Sequence, residues 1–382
     1  MSAVSNAPVP MLDVNRQNEP LRDELLAAVA GVCDSGAFLH GPANRDLEAA
    51  LADYCGTAHA VGCASGSDAL LLALLALDIG PGDEVIVPSF TFFATASAVW
   101  RIGARPVFAD ICPDTFNIDP ADIGARITPR TKAIIPVHLF GQCAEMWAIN
   151  QLAAEHKLQV IEDAAQAIGA TDGEQRAGAL GTIGAFSFYP TKNLGGCGDG
   201  GLMTTNDAKL AERLRILRDH GSHPRYYHHE VGINSRLDAI QAAMLLVKLP
   251  HLDDWATARE RHAQRYNEAF ARTPGITTPQ VAGGVTTVWN QYTIRVSNGR
   301  RDALRDHLAE RKIGCAIYYP VPLHLQKCFA TLGGMPGDLP YTEQAANEVL
   351  SLPVYPELKR SEQDRVIEEV TRFCQGAVAK AA

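Results

Sequence analysis

The sequence lacks a long apolar run. The longest, Ala69 to Leu77, is bracketed by Asp68 and Asp78 and falls far short of the roughly 20 residues a membrane-spanning helix needs. It also lacks a basic cluster. Its 34 Lys and Arg stand against 43 Asp and Glu, for a net charge of −9, which argues against nucleic acid as a partner. Small anions are not excluded, because local backbone donors can hold them whatever the net charge. The cysteines, Cys33, Cys55, Cys63, Cys112, Cys143, Cys197, Cys315, Cys328 and Cys374, are odd in number and form no C-x-x-C pair. A disulfide framework or structural zinc site needs paired or regular spacing, so reduced thiols and no metal are expected. Met1 to Pro10 carries neither the basic nor the apolar segment of a secretion signal. A soluble cytoplasmic protein is the expectation. No repeat or low-complexity tract interrupts the chain, and only its first and last several residues look disordered.

What is present is a chain of 382 residues, 47% of them hydrophobic, enough for two to three domains at about 100–200 residues each. From Tyr54 to Thr205 short β-rich runs alternate with helical stretches. The predicted strands are His59–Cys63, Glu84–Val87, Arg105–Ala109, Ala133–Val137, Leu158–Glu162, Ala185–Tyr189 and Gly201–Thr204. Predicted helices at Asp68–Leu77, Thr91–Ile102, Pro120–Ile127 and Glu145–His156 separate the first five. This alternation predicts an α/β fold with a mostly parallel seven-stranded sheet covered on both faces. After Gly221 the character changes. A helical stretch over Leu237–Ala271, interrupted at Pro250, leads to a β-rich run (Val288–Val296), a helix (Arg301–Lys312), a strand (Ala316–Tyr319) and helices near Thr342–Leu350 and Glu362–Phe373. The expected division is a large domain over 1–235, including an N-terminal arm, and a smaller α+β domain over 236–382.

Open parallel sheets place ligands beyond the C-terminal ends of their strands, and three stretches with reactive groups follow predicted strands. Cys63-Ala64-Ser65-Gly66-Ser67-Asp68 opens a helix with small residues, free N–H groups and a hydroxyl, which suits a phosphate; an ordinary helix cap fits it as well. It matches neither the dinucleotide fingerprint nor the P-loop. Ile161-Glu162-Asp163-Ala164-Ala165-Gln166 ends an apolar strand with carboxylates poised to meet a cationic group, or to cap a helix. Lys192, in Ser187-Phe188-Tyr189-Pro190-Thr191-Lys192-Asn193, lies between an apolar strand and the glycine-rich Gly195–Gly201 stretch, where a lysine of lowered pKa forms Schiff bases. Together these are the parts of a pyridoxal phosphate site: a Schiff-base lysine, an acid for the pyridinium nitrogen, and a phosphate cup. In Pro88-Ser89-Phe90-Thr91-Phe92, Phe92 could stack on the cofactor ring or belong to the core.

These motifs, with Gly232-Ile233-Asn234-Ser235-Arg236 and Tyr318-Tyr319-Pro320-Val321-Pro322-Leu323-His324, resemble those of the DegT/DnrJ/EryC1/StrS family of pyridoxal phosphate-dependent sugar aminotransferases. The similarity runs from Phe38-Leu39-His40-Gly41-Pro42 to Ser351-Leu352-Pro353-Val354-Tyr355-Pro356. The resemblance implies a fold-type I homodimer with shared active sites. It implies Lys192 as the Schiff-base lysine, Asp163 as the pyridinium partner, and Gln166 near the ring hydroxyl. Gly66, Ser67, Asp68 and Ser187 would bind the phosphate, Phe92 would stack on the ring, and Asn234 would reach over from the other subunit. His324 resembles a position near the substrate, and Arg236 is a further substrate-binding candidate. A family branch that dehydrates carries histidine in place of the lysine, so Lys192 favours transamination.

Glutamate is the expected amino donor. The stretch from Tyr226 to Asp238 is more similar to members that aminate C-3 of a nucleotide-linked hexose, which leans toward a 3-keto UDP- or dTDP-sugar as acceptor. The alternatives are an aminotransferase for a cyclitol or antibiotic precursor, and a non-catalytic regulator that binds pyridoxal phosphate. The adjacent His228 and His229 have no carboxylate or cysteine at ligand spacing, and a solvated loop is expected there.

Overall fold

The computed structural model describes residues 7–381; residues 1–6 and 382, part of the first and last several residues expected to be disordered, lie outside the described residues. Seven strands form the central sheet: β1 (His59–Cys63), β2 (Glu84–Pro88), β3 (Arg105–Ala109), β4 (Thr131–Ile134), β5 (Gln159–Asp163), β6 (Ile183–Ser187) and β7 (Gly201–Thr205). Their order is β1-β7-β6-β5-β4-β2-β3, and only β7 runs antiparallel to its neighbours. Val85, Ile86 and Val87 are wholly buried, as befits an unalternating apolar strand covered on both faces. The helix Gly66–Ala76 is apolar nearly all round, with Ala69, Leu70, Leu72, Ala73, Leu74 and Ala76 buried. The sheet and the helices Ala94–Arg101 and Ala208–Leu217 enclose it. Among the described residues no helix is long and apolar enough to cross a membrane.

Three helices precede the alternation read from Tyr54 onward: Val14–Asn18, Arg22–Ser35 and Pro42–Cys55. The last two end on Gly36 and Gly56 in the left-handed conformation, the usual helix stop. The long C-terminal stretch breaks at proline as expected, into Ala239–Lys248 and Leu252–Phe270 around a 3-10 turn at Leu249–His251. A second, three-stranded antiparallel sheet pairs Tyr292–Val296 with Ile276–Thr277 on one side and Val349–Leu352 on the other. The predicted helix near Thr342–Leu350 therefore stops at Glu348, where Val349 turns extended to pair with Arg295. Ala316–Tyr319 does not form a strand. Only Ala316 bridges to Ser351, and the chain then leaves for a cavity at the edge of the central sheet, which Tyr318 and Tyr319 line.

Packing crosses the expected boundary at 235/236. Leu237, Ala242, Leu245 and Leu252 belong to a core with Phe186 and Leu202, whereas Ala263, Tyr266 and Phe270 join the second sheet's core. The change of core thus falls within the helix Leu252–Phe270. The N-terminal arm also departs from its expected partner: Val9 packs in the second core, and Arg16 grips Glu362 through two hydrogen bonds of 2.8 Å.

Glu162, one residue before the end of β5, anchors the approach to the neighbouring strand. Its carboxylate is wholly buried and accepts the N–H groups of Gly178, Leu180 and Gly181 at 2.6–2.8 Å. His138 supplies a fourth contact: its Nδ1 takes the Ala144 N–H at 3.1 Å, so its Nε2 carries the proton toward Glu162 at 2.9 Å. The 178–181 loop feeds β6, so this carboxylate fixes where β6 begins. Glu162→Gln faces three N–H groups with an amide and should cost about 3 kcal/mol of stability in urea unfolding. A change below about 1 kcal/mol, as expected for a surface substitution such as Glu155→Gln, would count against this role.

Candidate active site

Strand alternation points adjacent carboxylates to opposite faces. Glu162 turns to the 178–181 loop, and Asp163 turns to a cavity of about 660 Å³ beyond the ends of β5 and β6. That volume lies in the range of small-ligand sites. Gly66, Ser67, Phe92, Asp163, Gln166, Ser187 and Lys192 all line it, although they come from separate parts of the chain.

Asp163 is buried, accepts the Thr95 hydroxyl at 2.8 Å and takes the Ala165 N–H at 3.3 Å. Burial pushes its carboxyl above the usual range, while those two donors and Lys192 pull it back. Lys192 faces it from the turn after β6. Burial lowers the Lys192 amine to about 8, and the attraction of Asp163 opposes that fall. Gln166 takes the Phe140 N–H on Oε1 at 2.7 Å, which directs its Nε2 to the Tyr319 hydroxyl at 3.1 Å. Phe92 stands more than half exposed at the cavity wall, with its ring 6.2 Å from that of Tyr319.

The side of the cavity expected from the sequence to take a phosphate is formed by a close approach. A Cβ at Gly66 would lie 2.7 Å from the Ser187 Cβ, so glycine brings the helix start against the end of β6. There the first-turn N–H groups have no partner within the helix. Ser65 caps that helix by accepting the Asp68 N–H at 3.1 Å. Asp68 itself does not line the cavity: its carboxylate accepts the buried Ser235 hydroxyl at 2.7 Å, and the Ser235 oxygen takes the Ala64 N–H at 3.1 Å. Asp68 thus braces the cradle from behind.

Three other sequence candidates lie off this cavity. Asn234 is exposed on the 219–236 loop, bridged to Asp219. Arg236 is bound to Asp219 at 2.6 Å. His324 is neither a surface loop residue nor a cavity wall. It is 3% exposed, with Nδ1 at 2.7 Å from the Ser89 hydroxyl and Nε2 at 3.3 Å from Glu343, and it ties the 318–324 segment to the end of β2. His228 and His229 are exposed, as expected of a loop. Residues missed by sequence reasoning are Thr95, Tyr319, Tyr189, Asp199 and Gln291. The Tyr318-Tyr319-Pro320 motif was a usable signal for Tyr319, whereas nothing local marks Thr95 or Gln291.

The donor set fits pyridoxal phosphate: a lysine of lowered pKa, a buried carboxylate facing it, and a cradle of backbone N–H and hydroxyl groups. In the cofactor-free protein, acylation of Lys192 followed by mass spectrometry should rise with a midpoint near pH 8, well below the ordinary 10.5. Asp163→Asn removes the one charge that raises it, so the midpoint should move lower still.

The comparisons with known proteins agree with this chemistry. A "pleiotropic regulatory protein" of Geobacillus stearothermophilus is 52% identical over 96% of this chain and 98% of its own length. A UDP-N-acetyl-3-dehydro-alpha-D-glucosamine 3-aminotransferase of Acidithiobacillus ferrooxidans is 47% identical, over 97% of this chain and 99% of its own. The crystal structure of DesV from S. venezuelae superposes with a TM-score of 0.94 at 48% identity, covering 96% of this chain and 98% of DesV. The DegT/DnrJ/EryC1/StrS aminotransferase family, whose enzymes depend on pyridoxal phosphate, matches residues 20–371. The chain belongs to that family.

Proposed function

We propose that this chain is a homodimeric, pyridoxal phosphate-dependent aminotransferase that moves an amino group from glutamate to C-3 of a keto nucleotide-linked hexose. The observation that carries this reading is the lowered-pKa Lys192 facing Asp163 beside the Gly66–Ser187 cradle. The relative from A. ferrooxidans, named for a 3-aminotransferase, supports the C-3 position, as does the Tyr226–Asp238 stretch. The regulatory name of the G. stearothermophilus relative supports the rival reading of a non-catalytic sensor. A sensor, however, has no use for a lysine and carboxylate held for proton transfer.

Pyridoxal phosphate, when bound, supplies an electron-poor ring that takes up the electron pair left when a C–H bond beside nitrogen breaks. The chain's residues do the rest. Gly66, Ser67 and Ser187 would receive the phosphate through N–H and hydroxyl groups, with Asp68 keeping their turn in place. Asp163 would hold a proton at the ring nitrogen, its carboxylate aimed by Thr95. Gln166, oriented by Phe140 and Tyr319, would meet the ring hydroxyl, and Phe92 would flank the ring. With an amine near pH 8, Lys192 is neutral in a useful fraction at physiological pH and can take a proton from the substrate carbon and return it. Asn234 would serve the other subunit's cradle, since it stands away from its own.

Borohydride added with pyridoxal phosphate should fix the cofactor to Lys192 in the wild type, read as a mass increase on that peptide. Lys192→Ala should show neither the adduct nor turnover, and normal transamination by that variant without added amine would remove Lys192 from its role. Substrate class is tested by a panel of 3-keto and 4-keto UDP- and dTDP-sugars with glutamate. Turnover is expected on a 3-keto sugar. Turnover on an inosose alone would replace the sugar, and bound cofactor with no turnover on any acceptor would favour the sensor.

A further inference from the structure

Lys248 closes the helix Ala239–Lys248 with no solvent exposure, and its Nζ donates to the Gly195 carbonyl at 2.7 Å. Gln241 lies seven residues earlier, close to two helical turns and so on the same face. Its Oε1 takes the Cys197 N–H at 2.8 Å. Both contacts land on the turn that carries Lys192. That turn is closed on itself: the Lys192 N–H reaches the Tyr189 carbonyl, and the Gly196 N–H reaches the Phe188 carbonyl, each at 2.8 Å. Gly195 is required by backbone contact, and Gly196 leaves room for the Gln241 amide. A Cβ at position 195 would lie 2.3 Å from the Pro190 carbonyl oxygen, and one at 196 would lie 2.8 Å from Gln241 Oε1.

A lysine buried without a carboxylate partner is costly, and an apolar residue of similar length at such a site is often neutral or better for stability. Lys248 has no such partner among the described residues. Burial holds its amine below the usual lysine range, and the titratable group facing it is Cys197. Stability alone therefore does not account for it. We propose that Lys248, assisted by Gln241, is a positioning residue for Lys192: it pins the lysine turn to the helix so that the Lys192 amine stays desolvated and opposite Asp163. This rests on the reading of Lys192 as the reacting amine, and it assigns a task to a helix outside the cavity.

Lys248→Met keeps the length and removes the donor, and its folding is checked by the melting temperature. In the cofactor-free protein, the acylation midpoint of Lys192 should move up from about 8 toward 10.5 as water enters around the loosened turn, with Asp163 the charged group facing Lys192 throughout. In the loaded enzyme, kcat should fall about tenfold or more while KM for the amino donor stays within about threefold, as for a group misplaced for chemistry but not for binding. Lys248→Arg, which restores a donor, should recover part of both. A folded Lys248→Met with the wild-type midpoint and kcat overturns the proposal. Should Lys248→Met fail to fold, Gln241→Leu decides, with a smaller upward shift expected and an unmoved midpoint overturning it. The acylation readout needs no turnover, so a failure of the proposed transamination and a failure of this positioning role are told apart.

Discussion

The end of β5 carries the constraint on which the rest of the site depends. Two successive carboxylates leave one strand in opposite directions because side chains alternate across a sheet. Glu162 spends its oxygens on three backbone N–H groups and His138, and so fixes the loop that starts β6. Asp163 is thereby held at the sheet edge with its oxygens aimed into the cavity, and β6, set in register beside it, delivers Lys192 on its exit turn. Asp163 and Lys192 are positioned by a carboxylate that does not itself line the cavity. A slip of one residue in β5 would exchange the two acids, burying the cavity acid among backbone donors and leaving the loop without its acceptor.

Strands and their order of appearance were legible because burial on both faces leaves unbroken apolar runs such as Val85-Ile86-Val87, which need no knowledge of neighbours. The cradle and Lys192 were legible for a related reason: each is a local motif directly after a strand. The residues that orient them were not. Thr95 stands 68 positions from Asp163 in sequence, and Tyr319 stands 153 from Gln166, and only the fold brings these pairs together. Val349 and Leu350 read as the end of a helix until their partners Arg295 and Ile294 are known. His324 resembles a position near the substrate, yet it lies off the cavity, buried because Ser89 and Glu343 satisfy both ring nitrogens.

Electrostatics at the cavity follows from the same economy of cations. Lys192 is the only cationic side chain among the described residues that line it, and Asp199 adds an acid. Three arginines outside the lining are engaged with carboxylates: Arg236 with Asp219, Arg213 with Asp78 and Glu230, and Arg218 with Glu48. The cradle side of the cavity therefore presents N–H and hydroxyl groups rather than fixed charge. A fixed cation beside Lys192 would lower its amine further, whereas neutral donors leave the balance to burial and Asp163.

Ser235 does more than brace the cradle, because its two hydrogen bonds join parts with different fates. Its hydroxyl fastens the segment containing Asn234 and Arg236 to Ala64 and Asp68, the two ends of the cradle turn. The 219–236 loop and the start of the helix Gly66–Ala76 are thereby held in one fixed relation, since both hydrogen bonds of this hydroxyl would be lost if either part moved. A surface loop and an interior turn thus share one buried hydroxyl.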